Sequence, residues 1–194
     1  IITKEGVLVT NAHVVNPVPV GGELVVRFAN GQEVPGKVIA VNAGKDIALV
    51  QLPPALNGWP TVAAGDSDAM LEGQSVVAMG YPLGLPFTVT SGIVSGKGGT
   101  RGNLFVTHLQ HDAAVNPGNS GGPLFNERGE VIGMNTAIAT QGGGFDGISF
   151  SVPSADIRKA VAQYQATGNI NSSWIGVIVD RSAIVRANRA VGID

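Results

Sequence analysis

The stretch that decides the fold reads HDAAVNPGNSGGPLF, from His111 to Phe125. At its centre Ser120 stands between Gly118-Asn119 and Gly121-Gly122. Glycines crowd a serine where the backbone must take conformations that a Cβ forbids. Two readings fit: a nucleophile held on a strained turn, or a tight turn between two strands. The five residues satisfy G-x-S-x-G, but a chain with 28 glycines generates such strings by chance. The order of the possible partners along the chain separates the readings.

All three histidines, His13, His108 and His111, precede Ser120. The nucleophile elbow of an α/β-hydrolase needs its histidine after the serine, so that assignment fails. No aspartate precedes His13, which removes the order Asp, His, Ser for that histidine. His108 and His111 sit just upstream of the serine loop, on the strand leading into it. The order that remains is His, Asp, Ser, that of chymotrypsin-like double barrels. His13 lies in LVTNAHVV, after an apolar strand, where a core histidine is the competing reading. Asp46 opens the apolar strand KDIALVQL. A carboxylate buried there needs donors, and an imidazole N–H is a suitable one; facing solvent, it needs none. Asp66 and Asp68 read as turn and cap residues, and Asp112 as part of the serine loop. Asp46 is therefore the best orienting acid.

Working outward, most of the chain reads as short strands rich in β-branched residues: GVLVTNAHVV, ELVVRF, VPGKVIAVN, DIALVQL, QSVVAMGYP, FTVTSGIVSGKG, LFVTHLQHD, GPLFN, EVIGMNTAIAT and GISFSVP. Asn30-Gly31 is a two-residue hairpin signal. LPPALNGWPTVAAGDSDAML has no clean period and reads as a linker between two strand-rich blocks. Regularly spaced short strands in two blocks predict two barrels. One helix stands out after Pro153: Ser154 as N-cap, Asp156 in the first turn, Ile157, Ala160, Val161 and Tyr164 at helical spacing, and Gly168 as the stop. Trp59, Phe105 and Trp174 read as packing residues.

Composition narrows the function. The 194 residues carry a net charge of −2, which gives no basic surface for nucleic acid. The absence of cysteine removes a disulfide framework, a thiolate metal site and a cysteine nucleophile. The scattered histidines lack a metal-ligand spacing, so neither a metal nor another cofactor is expected. No stretch approaches the length needed to span a bilayer, and no signal peptide is visible. Ile1-Ile2 runs straight into a turn, as in a processed or truncated piece.

Together TNAHVV, KDIALV and NPGNSGGPL resemble the three catalytic blocks of the HtrA (Deg) family of trypsin-like serine proteases. GDSDAMLEGQSVVAMGYPLG, TVTSGIVS, EVIGMNTAI and GISFSVP resemble its connecting segments in the same order, from Val7 to about Gly168. The resemblance implies an all-β, chymotrypsin-like double six-stranded β-barrel with a C-terminal helix. Its first barrel and linker would occupy 1–72 and its second barrel and helix 73–168, with the first barrel short of its N-terminal strand. The tail 169–194 resembles the start of a PDZ domain and is too short to complete one. Ser120 would be the nucleophile, His13 the base and Asp46 its orienting acid; Gly118, Asn119 and Ser120 would frame the oxyanion hole. Ala114, six positions before Ser120, would floor the primary specificity pocket, with Met134, Ile138 and Ser149 on its walls. An uncharged floor implies a preference for small aliphatic side chains.

The resemblance further implies unfolded or damaged polypeptides as substrates, an exported or periplasmic setting, and a homotrimer built through a segment preceding Ile1. A silent chaperone or binding module on the same fold is the alternative. Asn119 stands where an aspartate would pair with a freed N-terminus, so insertion of Ile1 is not the expected switch. Ordering of the Gly-rich stretches SGKGGTRGNLF, with Arg101 in it, and TQGGGFDG is expected instead; plain surface loops are the other reading.

Overall fold

A computed structural model describes residues 2–82, 87–99, 107–139 and 144–171. The tail resembling a PDZ start, Arg101, Phe105 and Trp174 lie outside the described residues. The first half contains β1 (Val7–Thr10), α1 (Ala12–Val15), β2 (Glu23–Arg27), β3 (Glu33–Asn42) and β4 (Ile47–Gln51). The second contains β5 (Ser75–Gly80), β6 (Thr88–Gly99), β7 (Thr107–His111), β8 (Pro123–Asn126), β9 (Val131–Ala139) and β10 (Ile148–Pro153), followed by α2 (Ser154–Thr167).

The second half closes into a six-stranded antiparallel barrel in the order β10-β7-β6-β5-β8-β9. The first half is an open four-stranded sheet, β1-β4-β3-β2, among the described residues. This is the expected chymotrypsin-like arrangement, with the first half short of closure among the described residues. Closure needs hydrogen-bonding partners along both edge strands, and among the described residues β1 pairs only with β4 and β2 only with β3. The β2–β3 turn differs from the two-residue expectation. Phe28 and Gln32 close a three-residue loop, with Gly31 at φ 83 and its N–H on the Phe28 carbonyl.

Three apolar clusters hold the chain together. Val76, Ala78, Val94, Leu109, Leu124 and Ile132 fill the barrel. Val15, Val38, Ala48 and Val50 form the core of the sheet. Between them, Ile47 and Leu49 of the sheet pack on Met134 and Val152 of the barrel and on Ile157 and Ala160 of α2. Helix α2 thus locks the sheet to the barrel through the apolar face its spacing predicts. Its start is held differently from expectation. Ser154 is already the first helical residue, and the linker supplies the capping hydroxyl. The Ala155 N–H donates to Ser67 Oγ at 3.1 Å, while the Ser67 N–H donates to Ser154 Oγ at 3.1 Å. Gly168 ends the helix at φ 72, donating to the Tyr164 carbonyl. Trp59 stacks on Phe28 with ring centroids 5.3 Å apart.

Candidate active site

His13 lies on α1, a single turn that follows β1 directly. Asp46 lies at the end of the loop joining β3 to β4. The structure brings them together across 33 residues of sequence: His13 Nδ1 is 2.8 Å from Asp46 Oδ2 and 3.0 Å from Oδ1. A carboxylate only accepts, so the proton sits on Nδ1 and the Nε2 lone pair faces outward. The backbone N–H of His13 donates to Asp46 Oδ1 at 3.0 Å, fixing the carboxylate relative to the ring. Half of the His13 side chain is exposed, against 24 % of Asp46.

Asp46 is the one non-glycine described residue with a positive φ, 54°. An aspartate tolerates that left-handed conformation better than most residues, and its surroundings impose it. Its N–H donates to the Ala43 carbonyl at 3.3 Å, and its own carbonyl accepts from Asn11 Nδ2 at 3.1 Å. The Thr136 hydroxyl donates to Oδ2. Sequence reasoning missed Thr136; its only signal was a hydroxyl within an apolar strand.

Ser120 sits on the turn entering β8 (Pro123–Asn126), half-buried. Gly118 at φ 104 and Gly121 at φ 81 are the residues that let the backbone fold there. A Cβ on Gly121 would also overlap the Thr10 side chain, so this turn packs directly on the end of β1, three residues before His13. Asn135 of β9 clamps the turn: Gly121 N–H donates to its carbonyl at 2.9 Å, and its own N–H to the Gly122 carbonyl at 2.9 Å. No hydrogen bond joins His13 to Ser120. Such contacts are commonly long in a free site and tighten when substrate is engaged.

The three backbone donors of the turn differ. The Asn119 N–H is committed to the Asn116 carbonyl at 3.0 Å. The N–H groups of Gly118 and Ser120 make no hydrogen bond among the described residues. Asn119 therefore separates the two free donors without adding a third. Its side chain is buried against Gly80, with Oδ1 unpartnered.

The expected pocket residues divide. Ala113 is fully buried, its carbonyl accepting from Ser149 Oγ at 3.0 Å. Ser149 pairs with Ile138 across β9 and β10, and Ile138 packs against the barrel cluster that includes Ala113 and Val115. Ala114 is half-buried beside them, its carbonyl accepting from Thr90 Oγ1 at 2.8 Å. Met134 does not join this group, which corrects the expectation that it lines a wall. It is 2 % exposed and packs between sheet and barrel on Ile47, Leu49 and Val152. The reason is a bulge. Phe150 pairs with Ala137 and Ser151 with Asn135, which leaves Thr136 as the extra residue. Strict alternation would put Met134 and Ile138 on one face; the bulge inverts the phase between them.

The other two histidines are structural. His108 lies edge-on to Phe150, at 72° between ring planes. His111 is fully buried, its Nε2 donating to Ser151 Oγ at 3.0 Å, and Ser151 donating in turn to Asn135 Oδ1. Burial pushes the His111 pKa down to about 4, against a smaller opposing pull from Asp112. Asp112 itself accepts from the Ile93 N–H at 2.7 Å. Among the described residues, no three His, Cys, Asp or Glu side chains gather where they could hold a metal, and no helix is long and apolar enough to cross a membrane.

Residues 1–134 match the trypsin-like peptidase domain. The chain belongs to the trypsin-like peptidases, in their HtrA (Deg) family. A relative from Pseudomonas fulva (strain 12-X), named a probable periplasmic serine endoprotease DegP-like, is 42 % identical over 180 residues, covering 92 % of this chain and 36 % of the relative. One from Ectopseudomonas mendocina (strain ymp), with the same name, is 41 % identical and covered over 37 % of its length. This HtrA-family chain thus spans little more than a third of those relatives. Among solved structures, the HtrA-type protease AlgW with a decapeptide superposes with a TM-score of 0.84 at 31 % identity, over 100 % of this chain and 58 % of that one. AlgW with a tripeptide gives 0.82 at 32 % identity, over 97 % and 62 %.

Proposed function

We propose that this HtrA-family chain is a serine endopeptidase domain acting on unfolded or damaged polypeptides, with a preference for small aliphatic side chains next to the scissile bond. The observation that carries the reading is the His13–Asp46 couple at 2.8 Å, set beside a glycine-clamped serine turn with two unspent N–H donors. In this mechanism Ser120 Oγ attacks the scissile carbonyl and His13 Nε2 takes its proton. Asp46 holds the ring and stabilises the imidazolium that forms. The Gly118 and Ser120 N–H groups receive the developing oxyanion; loss of one such donor costs about 3 kcal/mol of transition-state stabilisation. His13 then returns its proton to the leaving amine, and water repeats the sequence on the acyl-enzyme.

The uncharged Ala114, with Ser149 and Ile138 beside it, supports the small aliphatic preference, since an aspartate in place of Ala114 would select Lys or Arg. The names of the relatives support a periplasmic setting, and the family resemblance supports a role in protein quality control and a trimer. We read the halves 1–72 and 73–168 as one protease unit.

The second reading is a silent binding module, in which His13 and Ser120 stay apart even when a polypeptide is bound. Fluorophosphonate labelling decides between them. Covalent label on the wild type but not on Ser120→Ala, together with casein hydrolysis, supports the peptidase. No label on folded wild type, with casein bound but uncut, supports the second reading.

A further inference from the structure

Lys45 and Ile47, the two chain neighbours of Asp46, are both held by the first two turns of helix α2. Lys45 Nζ is 2.9 Å from Asp156 Oδ1 in the first turn of that helix. Ile47 is fully buried against Ile157 and Ala160 of the same helix. The Lys45 N–H donates to Asn42 Oδ1 at 3.0 Å, which closes the loop from the other side. Between these anchors the backbone of Asp46 takes its left-handed turn. The pair joins residues 111 apart in sequence and is partly shielded, with side-chain exposures of 38 % and 20 %. Asp156 sits in the first turn of α2, where the positive end of the helix favours its carboxylate.

We propose that the Lys45–Asp156 ion pair is a positioning device for Asp46: it uses the anchored start of α2 to hold the β3–β4 loop, and so keeps the Asp46 carboxylate on His13 Nδ1. Neither residue belongs to the triad, the serine turn or the group around Ala114. The proposal rests on the peptidase reading for its kinetic consequences but not for its structural one. The left-handed Asp46 carries a modest backbone cost, and holding its flanks helps the loop keep it. Ile47 holds one flank by burial. The other is a lysine main chain that the ion pair tethers through its side chain. Releasing the pair lets the Ala43–Asp46 turn relax, and the carboxylate moves with it.

The test uses Lys45→Met and Asp156→Ala, with Lys45→Arg as the conservative variant. Two measurements are made on each: kcat and KM on a peptide substrate, and the downfield proton resonance of His13 Nδ1–H, which reports the hydrogen bond to Asp46 without any turnover. Thermal midpoints confirm that each variant is folded at the assay temperature. Both disruptive variants are expected to lower kcat by about 5- to 20-fold with KM unchanged, and to broaden or abolish the Nδ1–H signal; Lys45→Arg keeps both. The two variants change the local charge in opposite senses. A through-space field effect would move kcat in opposite directions, which overturns the proposal. A lower thermal midpoint with kcat and the resonance intact also overturns it, because the pair is then only a fastening. If the wild type neither cuts nor labels, the peptidase reading fails, and the resonance in the variants still decides the positioning claim.

Discussion

Thr136 donates its hydroxyl to Asp46 Oδ2, the same oxygen that lies 2.8 Å from His13 Nδ1. The bond crosses from the barrel to the sheet, so the acid is held by both halves of the molecule. The bulge that frees Thr136 from the strand ladder is what aims its hydroxyl there. Thr136→Val keeps the shape and removes the donor. A hydrogen bond to a charged group of this kind is worth about 1.5 kcal/mol, so kcat should fall roughly tenfold with little change in KM. Steady-state kinetics on a chromogenic peptide measure this; an unchanged kcat would show that Asp46 does not depend on the barrel.

Asp46→Asn should be far more damaging than its size suggests. An amide at that position donates where the carboxylate accepted, and the imidazole then turns its lone pair inward. The expected loss is about 10⁴ in kcat with the fold intact. Burst kinetics and circular dichroism separate that outcome from simple unfolding.

Gly121→Ala places a Cβ at φ 81 and against the Thr10 side chain. Strain of this kind costs about 1–3 kcal/mol. Thr10→Ala made in the same chain should recover part of it, because the clash goes while the unfavourable φ stays. A double-mutant cycle of urea unfolding free energies checks the coupling; strict additivity would mean the two residues do not meet.

Met134→Ala empties a site shared by sheet, barrel and helix. The expected destabilisation is about 2–5 kcal/mol, with the cleavage preference of the folded fraction unchanged. Ala114→Leu should do the reverse, narrowing the pocket and favouring Ala over Val with a small stability change. Peptide-library profiling beside chemical denaturation distinguishes the two. A specificity change in Met134→Ala would put that residue back on the pocket wall.

His111 makes stability fall in acid. Its folded-state pKa is pushed down to about 4 by burial, below the ordinary histidine value of 6.5. Above pH 6.5 both folded and unfolded states hold it neutral, and it contributes no pH dependence. Between 6.5 and 4 only the unfolded chain takes up the proton, so stability falls as pH falls, by about 3 kcal/mol across the window. The measurement is the difference in urea unfolding free energy between wild type and His111→Gln at pH 7 and pH 4.5. The variant should lose less on acidification; an equal loss would mean that His111 titrates normally.

The chain order of His13, Asp46 and Ser120 was enough to discard two hydrolase families and to choose a double-barrel topology. Period-2 runs placed the strands, and Ile157, Ala160 and Gly168 placed the helix with its end. These features are legible because each depends on local spacing or on chain order, which a string of letters carries directly. The partner of Asp46 on the barrel, the linker hydroxyl that caps α2 and the side taken by Met134 were not legible. Thr136 meets Asp46 across 90 residues, and Ser67 meets Ala155 across 88. Met134 left the pocket because one bulged residue reversed a strand's alternation. Long-range hydrogen bonds and strand phase are set by which elements pack together, and that is decided only when sheet, barrel and helix close on one another. By itself the sequence determined which residue types stand ready for serine chemistry and in what order. Tertiary structure decided what holds them in place.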